Sequence, residues 1–134
     1  MLKLYTDAAT KGNPGFSGAG VLIVNQGQQI QQHYPLGVMS NHEAEFEAAI
    51  LGFSYLIDKQ LTTDLVSYTS DSKLVIDALD KRYAKHYPDL IQRLLAVVDQ
   101  VPNVIWQWQA DANHHGAHSL AQQGLAESLA SLNQ

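Results

Sequence analysis

The hydrophobic period of the chain changes near residue 40, and that change limits what it can fold into. Before it come three short β-like runs, Lys3 to Asp7, Gly18 to Val24 (GAGVLIV) and Gln29 to Tyr34. Gly12, Pro14 and Gly15 mark Ala8 to Ser17 as a turn, and Asn25-Gln26-Gly27 is a hairpin signal. Pro35-Leu36-Gly37 closes or bends the third run. From Glu43 to Lys59 the period is helical, with Phe46, Ala49, Ile50, Phe53, Leu56 and Ile57 in step and Asn41 in the N-cap place. A strand follows at Leu65 to Thr69 (LVSYT), then a short helix marked by Leu74, Val75, Ala78 and Leu79, and another helix from Pro88 to Val101. Val104 to Trp108 is a strand, and the last helix runs roughly from His115 to Leu132 with Leu120, Gly124, Leu125 and Leu129 inward. The order βββ-α-β-α-α-β-α predicts one α/β domain, residues 1–134, with a five-stranded mixed sheet flanked by helices and its first three strands antiparallel.

Composition narrows the function. With 134 residues and 46% apolar content, the chain can build a core without staples, and the lack of cysteine excludes disulfides and thiolate metal sites. No basic-then-apolar leader and no window of about 18 apolar residues is present. The expectation is a cytoplasmic protein with no membrane partner. Eight Lys and Arg against 13 Asp and Glu give a formal charge of −5. That is a poor match for a protein that grips nucleic acid by neutralising many phosphates. It is compatible with an enzyme that meets nucleic acid through metals, backbone amides and a few polar side chains.

Three acids sit at element ends. Asp7 ends the first strand, Asp71 follows LVSYT, and Glu45 lies in the first turn of the long helix. In α/β folds sites form outside the carboxyl ends of strands, and a helix start can converge on the same place. Carboxylates gathered there repel one another unless a cation lies between them, and hard oxygen ligands suit Mg²⁺ or Mn²⁺. Each acid also has a plainer reading. Asp7 could accept turn hydrogen bonds, Asp71 could cap the short helix together with Ser70 or Ser72, and Glu45 could favour the helix dipole.

The motifs TDAATKGNPGFSGAGVLI, SNHEAEFEAAI, YTSDSKLVIDAL and VIWQWQ, in that order, resemble type 1 ribonuclease H, especially its small bacterial branch. The resemblance covers nearly the whole chain. It implies the ribonuclease H-like fold and hydrolysis of the RNA strand of an RNA/DNA hybrid. Asp7, Glu45 and Asp71 would then be the catalytic, metal-binding acids, with Glu45 rather than Glu43 or Glu47 as the glutamate. They would hold two divalent cations, Mg²⁺ or Mn²⁺, about 3.5–4 Å apart.

Two departures stand out. The family's fourth carboxylate is expected where this chain has His118; Asp111 is near but precedes the last helix. Either His118 binds the second metal, which would favour Mn²⁺ over Mg²⁺, or it stands beside the site without ligating. The stretch from Asp80 to Leu90 is also short, leaving a modest basic cluster of Lys81, Arg82, Lys85 and His86 where some relatives have a helix and basic protrusion. The resemblance further assigns a mobile histidine to this chain's His115, with His114 nearly as good a match. Hybrid recognition would rest on shape and 2′-hydroxyls, with Gly12, Asn13, Asn41 and His42 beside the acids as substrate contacts. Trp106 and Trp108 share one strand face, where packing accounts for at least one of them.

An active ribonuclease H acting as a monomer is the first expectation. The alternative is a catalytically weak or inactive nucleic-acid-binding protein of the same fold. Cleavage of DNA, as by other nucleases of this architecture, is a third reading.

Overall fold

The computed structural model of the chain describes residues 1–110 and 115–133. Its elements follow the expected order: β1 (Leu2–Gly12), β2 (Gly15–Asn25), β3 (Gln28–Met39), α1 (Asn41–Asp58), β4 (Val66–Ser70), α2 (Lys73–Lys81), α3 (Pro88–Val98), β5 (Val104–Trp108) and α4 (His115–Ala130). A short 3-10 turn, Ser131–Asn133, ends the described chain. The five strands form one mixed α/β sheet in the order β3-β2-β1-β4-β5. β1, β2 and β3 are antiparallel neighbours, whereas β4 runs parallel to β1 and β5 parallel to β4.

Three local expectations are corrected. The segment from Ala8 to Ser17 is not an open turn: β1 and β2 stay paired out to Gly12 opposite Gly15, and only Asn13 and the cis-linked Pro14 connect them. Glycine permits this. Gly12 has φ 87°, and a Cβ on Gly15 would lie 1.8 Å from the Lys11 carbonyl oxygen. The third strand does not close at Pro35 but continues to Met39, with a register shift where Phe16 faces Val38 and Ser17 faces Leu36. β3 is an edge strand, so a proline and an extra residue cost it little pairing. The N-cap of α1 is Ser40, not Asn41. Its hydroxyl accepts from the Glu43 amide while the Glu43 side chain accepts from the Ser40 amide.

Side-chain alternation divides the sheet into two packed faces. On one face Leu4, Val21, Ile23 and Tyr68 meet Phe46, Phe53 and Leu56 of α1 and the inward residues of α2 and α3. On the other, α4 lies against the antiparallel strands over a smaller cluster of Ala9, Ala121 and Leu125. That second contact is close because small residues line it. A Cβ on Gly18 would sit 1.9 Å from the Leu125 amide, and one on Gly20 would sit 2.2 Å from the Ala117 carbonyl oxygen. Among the described residues, no helix is long and apolar enough to cross a membrane.

Candidate active site

The carboxylates of Asp7, Glu45 and Asp71 each place an oxygen within 4.8 Å of the others. Asp7 is brought there by β1, where it pairs with Gly20 at the middle of the sheet. Glu45 comes from the first turns of α1, on the side opposite Glu43 and Glu47. Those two are already engaged, Glu43 in the capping box and Glu47 in a two-point ion pair with Arg93. Asp71 follows β4 directly, but it does not cap α2. Ser72 does, accepting from the Val75 amide at 3.3 Å, and the Asp71 carboxylate belongs to the cluster. The Trp108 indole N–H donates to the Asp71 carbonyl oxygen at 3.0 Å, tying the end of β5 to the backbone that carries the acid.

The electrostatics are those of crowded acids. Asp7 is 4% exposed. Burial, followed by repulsion from Asp71, pushes its carboxyl up to about 6, against the opposing pull of its bonds to His118 and to the Ala8 amide. Glu45 is held well above the usual carboxylate range by burial first and then by the charges of Asp7 and Asp71. Below the cluster, Thr6 and the buried Tyr68 share a hydroxyl–hydroxyl hydrogen bond of 2.6 Å. Three oxygen donors whose charges raise one another's proton affinity form a set that a hard divalent cation satisfies.

His118 projects from α4 and reaches Asp7, its Nδ1 lying 3.0 Å from Asp7 Oδ2. An ionised carboxylate can only accept, so Nδ1 is the donor when Asp7 is charged. The ring therefore touches the acid cluster but is not one of the groups whose ligand atoms all lie within 4.8 Å of one another. His115 is the first residue of α4. His114 and Asp111 lie outside the described residues.

Two grooves border the acids. Glu45 and Asp71 open into one of about 320 Å³ that Asn41, His42 and Lys73 also line. The other, about 650 Å³, runs from Ala8 past Gly12, Asn13 and Asn41 on one side and His118 on the other. All four expected substrate contacts thus line grooves at the site, with Asn41 shared by both. Asn13 Oδ1 accepts from the Asn41 amide at 3.0 Å, which fixes the β1–β2 connection to the start of α1. The basic cluster after α2 does not act as one body of charge, since Arg82 is bound at both guanidinium nitrogens by Asp99. Trp106 donates to Asp80 at 2.6 Å. The indole clamp of Trp108 on Asp71 was not foreseen from sequence; the paired tryptophans on β5 were its only signal.

A family model described as RNase H matches residues 1–125. The chain belongs to the ribonuclease H family. It is 37% identical over 127 residues to a putative hydrolase EbsB of Enterococcus faecalis, covering 93% of this chain and 94% of that one. It is 31% identical over 144 residues to the ribonuclease H of Pseudomonas fluorescens, covering 94% and 93% of the two chains. In fold, this ribonuclease H family member is similar to RNase H1 of the archaeon Halobacterium salinarum, with a TM-score of 0.83 at 24% identity over 94% of this chain and 98% of that one. It is equally similar to LC11-RNase H1, solved in complex with an RNA/DNA hybrid, with a TM-score of 0.83 at 22% identity over 96% and 99%. Among the described residues, its acidic cluster has three members and a histidine beside them.

Proposed function

We propose that this ribonuclease H family member binds RNA/DNA hybrids at the three-acid end of its sheet and hydrolyses the RNA strand weakly, with Mn²⁺ favoured over Mg²⁺. The observation that carries the reading is the His118–Asp7 hydrogen bond at a cluster of three carboxylates. Asp7, Glu45 and Asp71 fit a divalent cation by donor type and by their crowding, and would be its ligands. Bound cations would supply an acidified water and neutralise the charge that builds on the phosphate.

The chain's own groups do the placing. The Ala8 amide holds Asp7 Oδ1 at 2.9 Å, and Trp108 holds the Asp71 backbone. Asn13 and Asn41, already joined, present amide groups that suit ribose hydroxyls. His118 weakens the site in two ways. It brings no negative charge where a carboxylate would, and it engages the Asp7 oxygen that a cation would otherwise share. Mn²⁺ tolerates imidazole and its neighbourhood better than Mg²⁺, which demands a near-octahedral oxygen shell.

A second reading is efficient two-ion endonucleolytic hydrolysis. The close approach of all three acids favours it. Cleavage of a labelled RNA/DNA hybrid with each metal, beside RNA and DNA duplex controls, separates the two. The proposal expects slow cleavage in Mn²⁺, less in Mg²⁺, and a gain of about tenfold or more in Mg²⁺ for His118→Asp, the size of effect that groups around metal ligands exert. Equal and rapid cleavage with both metals supports the second reading. A variant that gains nothing in Mg²⁺ shows that His118 does not stand in for the missing acid.

A further inference from the structure

Of the eight basic residues, Arg82 and Arg93 are neutralised by Asp99 and Glu47, and Lys59 lies over the Tyr55 ring. Lys11 is different. It lines the larger groove beside the acids and makes no ion pair among the described residues. Alternation along β1 puts Asp7, Ala9 and Lys11 on the same side of the strand, the side that α4 covers. Four residues at about 3.3 Å each separate Asp7 from Lys11 by about 13 Å, so Lys11 lies beyond the reacting centre rather than in it. Across the groove, Gln122 stands one turn after His118, where residues four apart share a helix face. Among the described residues its amide has no hydrogen-bond partner and no carboxylate lines this groove. In a chain of charge −5 this is a path on which a polyanion meets a free cation instead of acids.

We infer that this groove carries the RNA strand away from the acid cluster, with Lys11 binding a phosphate beyond the scissile one and Gln122 reading a ribose 2′-hydroxyl. The inference rests on the hybrid-binding reading above. An ammonium matches a phosphate oxygen as a point charge, and a carboxamide, donor and acceptor at once, matches a hydroxyl that is also both. Lys11 thus supplies strand affinity and Gln122 the preference for RNA over DNA.

The test is equilibrium binding of a labelled RNA/DNA hybrid and of a DNA duplex of the same sequence to the full chain, with Ca²⁺ present, over a salt series. Lys11→Ala should weaken binding of both and flatten the slope of log Kd against log salt by about 0.9, the signature of one lost phosphate contact. Lys3→Ala makes the same charge change at the far end of β1 and should leave the slope unaltered. Gln122→Ala should lower the hybrid-to-DNA affinity ratio by about three- to tenfold, the worth of one hydrogen bond, with the slope kept. Wild-type binding with a Lys11→Ala slope equal to that of Lys3→Ala overturns the phosphate assignment. An unchanged ratio in Gln122→Ala overturns the ribose assignment. Failure of the wild type to bind hybrid at any salt overturns the inference together with the reading beneath it.

Discussion

At the scale of single residues, the acid cluster is a local cost of the fold. Raising Asp7 from its ordinary 3.8 to about 6 corresponds to a destabilisation on the order of 3 kcal/mol at neutral pH. Folded Asp7 keeps its proton up to about pH 6, whereas the unfolded chain releases it near 3.8. Between those values the native state holds the extra proton, so stability must fall as pH rises through that window. Glu45, raised by burial first and then by Asp7 and Asp71, adds a fall of the same sign above its ordinary value. In chelator the melting temperature should therefore be higher near pH 5 than near pH 7.5. Asp7→Asn should raise it at pH 7.5 by several degrees and flatten its pH dependence. A variant that melts no higher than wild type at pH 7.5 would contradict the crowding described for Asp7. Mn²⁺ should stabilise the wild type, because only the folded chain assembles the three oxygens, and should do so far less in the variant.

At the scale of elements, what was legible in the sequence was the periodicity and the acids at its breaks. Asp71 and Glu45 stand out at a strand end and a helix start, whereas Asp7, expected at a strand end, lies inside β1, which runs on to Gly12; the resemblance, not spacing, separates Glu45 from Glu43 and Glu47. The partners of those acids were not legible. His118 meets Asp7 across 111 positions, and Trp108 meets a backbone carbonyl, which has no residue-type signature. The cap of α1 falls one residue before the place the sequence suggests, because Ser40 and Asn41 are both good caps and only the Glu43 reciprocal bond decides between them. The β1–β2 link is shorter than the sequence suggests because Gly12, Pro14 and Gly15 signal a turn without giving its length. The glycines of β2 were legible as small residues, but their task, seating α4, was not. Gly20→Ala should cost about 1–3 kcal/mol or more by forcing a methyl against the α4 backbone. Gly37→Ala, with nothing within 4 Å of the added carbon, should shift the urea midpoint little. Equal midpoints for the two variants would mean that α4 can move off the sheet without penalty.

At the scale of the whole molecule, the two faces of the sheet are held by different means. One buries Phe46, Phe53, Leu56 and Tyr68 together with the apolar sides of three helices. The other relies on a small cluster of Ala9, Ala121 and Leu125 and on close backbone approach over glycine. Apolar area removed from water is the main source of stability, so the first face should resist opening more than the second. Native-state hydrogen exchange should find the slowest amides in α1 and the central strands, with α4 exchanging through a smaller opening; equal protection of α1 and α4 would refute this. The acids and the histidine thus belong to parts of unequal permanence. Asp7, Glu45 and Asp71 ride on β1, α1 and the end of β4, the part expected to open last, while His118 and Gln122 ride on α4, the part expected to open first. Replacement of the residue at position 118 is accordingly a change on a detachable wall of the site, one that a lineage could make or reverse without disturbing the three acids that the sheet and α1 keep in place.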